Sequence, residues 1–589
     1  MSGAATATDR PAPAVLARGA AAVLIPLLLL GGAAVLAADV AGSGALVLRD
    51  AGALARHGAP VAAMLGDLAA AVMLGGAVLA GWLLREDADR ARALTLVAVA
   101  GGVATLARGI GLLLSYSIAT GQRVGSERFG SDLGVFVRTD LGIWLLTGVL
   151  VAALTTTLAV TGTGRGTGRL VTLAAGVLAF CAAMTGHAAG DTSHEVATST
   201  MLVHLLAVGI WVGGLAVLHL LPARSRDDAR VLAGYSHLAL VCWVALGLSG
   251  VWALVVRMTS PAELLTSAYV QLGLAKAALL LGLGVLGWMQ RRQLAASLAG
   301  GGDAAAARAT YRRLALLELA LMGLAVALAA AMSSSPPPSD AAAPPSGTAG
   351  ILTGYELPAA PTAVAVLAAW RPSPFSLALV CVIALWWWRA GAPARGRGET
   401  LRLAAGAAVL ILATNGPPAV YGKVLVSAHL LQHLLLLAPA GVLLGSAGTV
   451  PPRWRRFLAS RAWLAPLLAA VPVAALVGIY ATGLLRLALD AHAAHLALQM
   501  LALGGGVAIA VILRCAPRPR LALLAPLVVL AAAGVVLLLG DALLAASWFG
   551  ATGRPWWPDA LADQHRGGIV VLAWAVLGAA IGLPLARRR

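Results

Sequence analysis

The sequence predicts an all-α polytopic membrane protein with about sixteen transmembrane helices. Apolar residues make up 60% of the 589 residues and charged residues only 11%, and the mean hydropathy is +0.88. The apolar residues fall into separate windows of about 20 residues, the length that crosses a bilayer as a helix. Because a soluble protein could not bury so much apolar surface, most of the chain must be surrounded by lipid.

The windows form a group of nine and a group of seven. The first group is 19–39, 59–84, 91–116, 141–160, 169–188, 198–222, 231–256, 269–290 and 313–332. The second group is 374–390, 401–414, 423–446, 462–485, 490–514, 521–545 and 567–586. Between them, residues 333–361 are rich in Pro, Ser and Ala and predict a non-helical linker. We interpret window 19–39 as the first helix, with a cleaved signal peptide as the alternative.

Basic residues predict the orientation. If the N-terminus is cytoplasmic, about 29 of the 42 Lys and Arg residues fall in cytoplasmic segments and about 11 in outer segments, as the positive-inside rule requires. Both termini are therefore predicted to be cytoplasmic and the linker extracytoplasmic. The basic residues are scattered between apolar runs, so the net charge of +18 does not indicate a nucleic-acid partner.

The sequence contains no motif that indicates an enzyme. Four cysteines are far apart, which excludes a CxxC motif and a disulfide framework. There is also no P-loop, nucleophile elbow, HExxH motif or dinucleotide fingerprint.

Histidines in the second half predict a metal site. His429 and His433 lie four residues apart in SAHLLQHLLLL, and His492 and His495 lie three apart in LDAHAAHLALQM, so each pair shares one helix face. Both pairs fall in the outer halves of their windows. The alternative is that they are hydrogen-bond partners between helices. Candidates to orient the imidazoles are the carboxylates of Asp490 and Asp563.

A second candidate cluster lies at the outer side of the first half. It consists of His187, His194, His204, Met184 and Met201, with Asp191 and Glu195 as candidate acceptors for the imidazole N–H groups. Imidazole binds either copper oxidation state and thioether favours Cu(I). Ordinary loop and interface polarity is the alternative interpretation.

Two opposite charges lie within consecutive windows of the first half. Asp67 and Arg108 are each about eight residues from the outer end of their window, about 12 Å at 1.5 Å per residue. We therefore expect an intramembrane ion pair, which lowers the cost of placing either charge in lipid.

The first half resembles the CopD family of copper resistance membrane proteins. The resemblance is carried by VHLLAVGIWVGGL at 203–215, by TSAYVQLGLAKAALLLGLGVLGWMQRR and by LALLELALMGLAVALAAAMSSSPPP. It is best over 169–332, and the domain it implies is 1–332.

The second half, 362–589, resembles the CtaG family of cytochrome c oxidase assembly proteins. The resemblance is carried by VYGKVLVSAHLLQHLLLLAPAGVLLG at 420–445 and by ADQHRGG. The pattern S-x-H-x-x-Q-H is present as Ser427, His429, Gln432 and His433. Leu430 stands where the family usually has Met, which weakens the argument for Cu(I).

Together these resemblances imply a multi-pass protein of the bacterial inner membrane that takes up or transfers copper at the outer face. The implied partners are copper, as Cu(I) or Cu(II), and cytochrome c oxidase subunits or other assembly factors. Two alternatives stay open, namely an electron carrier with haem b held by two histidines and an assembly scaffold that binds no metal.

Overall fold

The computed structural model describes residues 13–42, 50–185, 194–222, 228–298, 304–333, 338, 345–389, 396–448 and 450–586. The protein is 82% helical, and the described residues contain no strand. The all-α prediction is therefore confirmed. The chain divides into two compact units, one of Met1–Asp191 with Ala197–Ala342 and one of Thr192–Val196 with Ala343–Arg589.

Twelve helices make up the described part of the chain before the linker. They are α1 (Pro13–Gly42), α2 (Ala53–Val78), α3 (Asp87–Thr120), α4 (Leu133–Phe136), α5 (Asp140–Thr161), α6 (Arg165–Ala183), α7 (His194–Val208), α8 (Gly214–Leu220), α9 (Ala229–Val256), α10 (Glu263–Thr266), α11 (Ala268–Leu298) and α12 (Ala304–Met332). A π-helical turn, Gly209–Gly213, joins α7 to α8.

Small residues allow the first unit to pack tightly around α2. A Cβ added to Gly213 would lie 1.7 Å from the carbonyl oxygen of Ala71 in α2. Glycine at this position therefore lets two helix backbones meet directly, which is how transmembrane helices commonly associate.

Fourteen helices follow in the described part of the second half. They are α13 (Gly347–Thr353), α14 (Ala363–Ala368), α15 (Pro374–Arg389), α16 (Arg397–Asn415), α17 (Pro417–Gly422), α18 (Val426–Leu435), α19 (Val442–Ala447), α20 (Pro452–Ser460), α21 (Leu464–Tyr480), α22 (Leu484–Asp490), α23 (His492–Cys515), α24 (Pro519–Leu539), α25 (Ala546–Phe549) and α26 (Ala560–Leu585). A π-helical segment, Leu436–Gly441, joins α18 to α19.

The two histidine-bearing helices of the second unit are held together by a close backbone contact. A Cβ added to Gly506 of α23 would lie 1.8 Å from the carbonyl oxygen of Leu437 and 2.9 Å from the Cα of Gly441. Leu437 and Gly441 belong to the π-helical segment that continues α18. The absence of a side chain at Gly506 thus sets the distance between the two helices.

Among the described residues, 13 helices are long and apolar enough to cross a membrane, or 14 if the bent pair α20 and α21 counts as one span. Two shorter apolar helices, Ile25–Val40 and Pro374–Trp387, coincide with two more predicted windows. The protein is thus a multi-pass membrane protein. The count of sixteen and the cytoplasmic termini stay predictions.

Three details differ from the sequence-based expectations. The short window 401–414 belongs to a candidate span that runs over Arg397–Gly422. Before window 462–485 the chain bends by 109° between α20 and α21. Helix α20 is rich in arginine and exposes Trp454, a composition typical of a helix that lies along the membrane interface. Finally, the predicted non-helical linker contains α13, in which Ala349, Gly350 and Thr353 are buried.

We expect Gly506→Ala to destabilise the second unit, because the new methyl group must push α23 away from the Leu437 carbonyl. Overpacking of this kind typically costs about 1–3 kcal/mol. The matched control is Gly504→Ala, since a Cβ at Gly504 meets nothing within 4 Å and alanine favours a helix over glycine by about 1 kcal/mol. Thermal unfolding in detergent measures both, and equal melting temperatures for the two variants would contradict the packing account.

Candidate metal centre

Helix α18 carries the first histidine pair on one buried face. The chain enters it from α17 through residues 423–425, and the i, i+4 spacing places the two imidazoles one above the other. His429 is 0% exposed and His433 is 3% exposed, and their ring centroids are 4.7 Å apart. The same-face prediction is therefore realised with both rings away from solvent.

Hydrogen bonds to backbone carbonyls orient both imidazoles. His429 Nδ1 lies 3.1 Å from the Gly422 carbonyl oxygen, and His433 Nδ1 lies 2.9 Å from the His429 carbonyl oxygen. A carbonyl can only accept, so each Nδ1 carries the proton and donates it. The Nε2 atoms, which keep their lone pairs, are buried and have no hydrogen-bond partner among the described residues.

Tyr480, at the end of α21, reinforces this arrangement. Its hydroxyl oxygen lies 2.9 Å from His433 Nδ1 and donates to the His429 carbonyl oxygen at 3.3 Å. The hydroxyl can accept from Nδ1–H while it donates to the carbonyl, so all three groups are satisfied with the proton on Nδ1. Tyr480 therefore supports the tautomer that exposes the Nε2 lone pair.

Helix α23 brings a third imidazole to the same place. The His495 ring centroid is 5.8 Å from that of His429 and 6.0 Å from that of His433. Its Nε2 lies 2.9 Å from Gln499 Nε2, and its Nδ1 is buried without a hydrogen-bond partner among the described residues. As placed, the Gln499 amide nitrogen donates to Nε2; if the amide is turned by 180°, its oxygen accepts from Nε2–H and a lone pair is left on Nδ1.

The three rings are compatible with a metal ion but do not form a finished site. Rings bound through metal–nitrogen bonds of about 2 Å at angles of about 90–120° have centroids roughly 4.4–5.4 Å apart. The observed 4.7 Å lies within this range, and 5.8 and 6.0 Å lie slightly above it. No group of three or more His, Cys, Asp or Glu side chains in the described part of the chain could hold a metal as it stands. Binding therefore requires the rings to turn so that their free nitrogens converge.

The fourth predicted histidine, His492, begins α23 and is 6% exposed. Its Nδ1 lies 3.7 Å from Oε1 of Glu195, which groups with the second unit. The same Oε1 accepts a hydrogen bond from Lys423 Nζ. His492 thus lies beside a buried charge pair, one helical turn before His495.

The predicted orienting carboxylates behave differently from expectation. Asp490 is 63% exposed and forms an ion pair with Arg486 at 3.0 Å rather than a contact with a histidine. The reason is that α22 ends at Asp490, before the chain turns into α23. Asp563 is 0% exposed and accepts from Ser427 Oγ at 2.6 Å and from Ser427 N at 3.3 Å. It therefore acts on the start of α18 rather than on an imidazole.

Several residues that fix the centre were missed by the sequence reasoning. The segment that precedes α18 is held by Arg554, which donates to the Val424 carbonyl, and by Trp548, whose Nε1 donates to the Lys423 carbonyl at 2.9 Å. Burial lowers the pKa of the Arg554 guanidinium. Only Gln499 had a sequence signal, since it lies four residues after His495.

The predicted outer cluster of the first half is only partly described. His187 and Asp191 lie outside the described residues, as does the side chain of His194. His204 Nδ1 lies 3.0 Å from Ser249 Oγ; Met184 is buried and Met201 is half-buried. A metal site here stays a prediction.

The two charges expected to pair in this half lie together. Arg108 Nη2 donates to Asp67 Oδ1 at 2.6 Å, and the side chains are 17% and 29% exposed. The contact joins α2 to α3 and neutralises two charges within candidate membrane spans.

We expect Asp563→Asn to destabilise the second unit and to loosen the start of α18. The buried carboxylate accepts two hydrogen bonds from Ser427, and bonds to a charged group contribute about 1.5–3 kcal/mol. Asp541→Asn, at an exposed aspartate, is the matched control. Thermal unfolding in detergent should separate the two variants, and an unchanged melting temperature for Asp563→Asn would refute this role.

Three family models match separate parts of the chain. The family model described as copper resistance protein D-like, N-terminal domain, matches residues 53–197, and the one described as copper resistance protein D matches residues 229–332. The model described as cytochrome c oxidase caa3 assembly factor matches residues 382–587. Searches of curated proteins and of solved structures returned no match. These matches within one chain are consistent with a fusion of a CopD-like region and a CtaG-like region.

Proposed function

We propose that the second unit binds copper as cargo through His429, His433 and His495, with His492 as a fourth ligand, and passes it on for cytochrome c oxidase assembly. The main support is that three buried imidazoles lie close together. Nε2 of His429, Nε2 of His433 and Nδ1 of His495 have no hydrogen-bond partner among the described residues. A buried polar atom without a partner costs about 1–3 kcal/mol. A bound ion would offset that cost.

Copper fits this set of ligands better than other common metals. Imidazole nitrogen binds copper in either oxidation state, whereas Mg²⁺ and Ca²⁺ require oxygen ligands. The matches to a copper resistance family and an oxidase assembly family support membrane copper handling. Zinc would accept the same nitrogen ligands, so the preference for copper over zinc is supported by the family matches alone.

The setting of the proposed transfer is the bacterial inner membrane. With both termini in the cytoplasm, as the basic residues predict, the buried histidine pairs lie nearer to the outer surface, the side from which a soluble donor or acceptor would approach. We propose that the first unit moves or sequesters copper and that the second supplies it to oxidase subunits or other assembly factors. We further propose that the protein handles the ion without catalysing a reaction.

Haem b fits the same residues poorly. Two axial imidazoles must face each other across a porphyrin. The His433 and His495 centroids are 6.0 Å apart, but the His429 ring lies within 5.8 Å of both and fills the space beside them. A metal-free scaffold gives no reason for three unpartnered imidazoles in a buried position.

We expect the double variant His429→Ala/His433→Ala to lose stoichiometric copper binding in the second unit, because two of the proposed ligands disappear. Cells that depend on this variant should contain haem-replete but copper-poor oxidase of low activity. Added copper should partly restore that activity by mass action. Metal analysis of the purified protein and of the oxidase measures both effects.

His237→Ala is the control, because His237 is exposed and lies in the other unit. A His429→Gln/His433→Gln variant keeps polar groups at the site, so it should also lose copper binding even if the alanine variant misfolds. Normal oxidase copper content, with the alanine variant present in the membrane at the normal level, would contradict the proposed function.

A further inference from the structure

A buried charge pair lies next to the proposed copper centre. Glu195 precedes the linker in sequence, yet it groups with the second unit. Its side chain is 22% exposed and that of Lys423 is 8% exposed. Lys423 Nζ donates to Glu195 Oε1, and the Tyr355 hydroxyl donates to Glu195 Oε2 at 3.5 Å. The carboxylate is therefore held in place from two sides.

The carboxylate faces His492, which we propose as the fourth ligand of the centre. Glu195 Oε1 is 3.7 Å from His492 Nδ1, and a movement of roughly 1 Å would shorten this contact to a hydrogen bond. Metal-binding histidines commonly donate the N–H of the second ring nitrogen to a carboxylate, which fixes the tautomer and directs the other nitrogen to the metal. Glu195 is positioned to do this for His492.

The pair also balances charge. Glu195 and Lys423 neutralise each other in the metal-free protein, which limits the cost of burying either one. When a copper ion binds His492, the carboxylate faces a second cation. Lys423 then opposes the ion while Glu195 favours it, so the two members of one ion pair have opposite effects on copper affinity.

We propose that Glu195 is a positioning residue of the copper centre, acting through His492, and that Lys423 is the built-in cation that balances Glu195 until copper arrives. This inference rests on the proposed copper binding by the second unit. It assigns a role in that centre to a residue encoded in the first half of the chain.

The test uses the purified full-length protein in detergent, with Cu(I) titrated under anaerobic, reducing conditions against a chromogenic chelator. We expect Glu195→Gln to weaken copper binding about 10- to 100-fold, the usual effect of removing a carboxylate behind a histidine ligand. Lys423→Met should tighten it about tenfold, as expected for removing a unit charge within roughly 10 Å of the ion at an effective dielectric constant of about 20.

Lys423→Met should also melt at a lower temperature than the wild type without copper, because Glu195 loses its ion-pair partner. Copper should then raise its melting temperature by more than it raises that of the wild type. Lys423→Arg keeps the charge and should bind copper as the wild type does. Glu356→Gln, at an exposed glutamate of the same unit, should change nothing.

The outcomes separate this inference from the proposed function. If the wild type binds no copper, the proposed function itself fails. If the wild type binds copper and the His429/His433 double variant does not, then unchanged affinity in Glu195→Gln, or weakened affinity in Lys423→Met, overturns the role of the pair. If Glu195→Gln fails to fold, the comparison of copper affinity between Lys423→Met and Lys423→Arg tests the role of the pair by itself.

Discussion

The hydrogen bonds that His429 and His433 donate through Nδ1 determine what the second unit can bind. Each of these bonds ends on a backbone carbonyl, at Gly422 and at His429, so each proton position follows from the fold. The Nε2 lone pairs are then presented to a buried space in which the described residues offer no donor. A side chain that serves only to join helices would be satisfied at both nitrogens.

Much of the surrounding structure preserves this geometry. Asp563 holds the start of α18 through Ser427, Tyr480 supports the Nδ1 proton of His433, and Gly506 allows α23 to approach closely enough for His495 to join the pair. Water is scarce within a bilayer, so polar groups that do not bind a ligand depend on partners within the protein. The centre is therefore specified by backbone and side-chain partners from several helices.

The sequence was a good guide to most features that depend on local periodicity. Window length predicted the helices, and i, i+4 spacing predicted that His429 and His433 share a face. Contacts between distant segments were not predictable in the same way. Glu195 was expected to orient imidazoles of the first half, yet its partners include Tyr355, Lys423 and His492 of the second half, because only the folded chain brings these segments together. Likewise, Asp490 resembled an orienting carboxylate by position, but the turn between α22 and α23 leaves it exposed beside Arg486.

The central claim is that copper binds to an all-nitrogen site made of imidazoles from α18 and α23. X-ray absorption at the copper edge, on the purified protein loaded with one equivalent of copper, tests it most directly. The account predicts three to four nitrogen neighbours at about 2 Å, the outer-shell scattering of imidazole and no sulfur. A shell of sulfur neighbours at about 2.3 Å, or fewer than two imidazoles per copper, would contradict it.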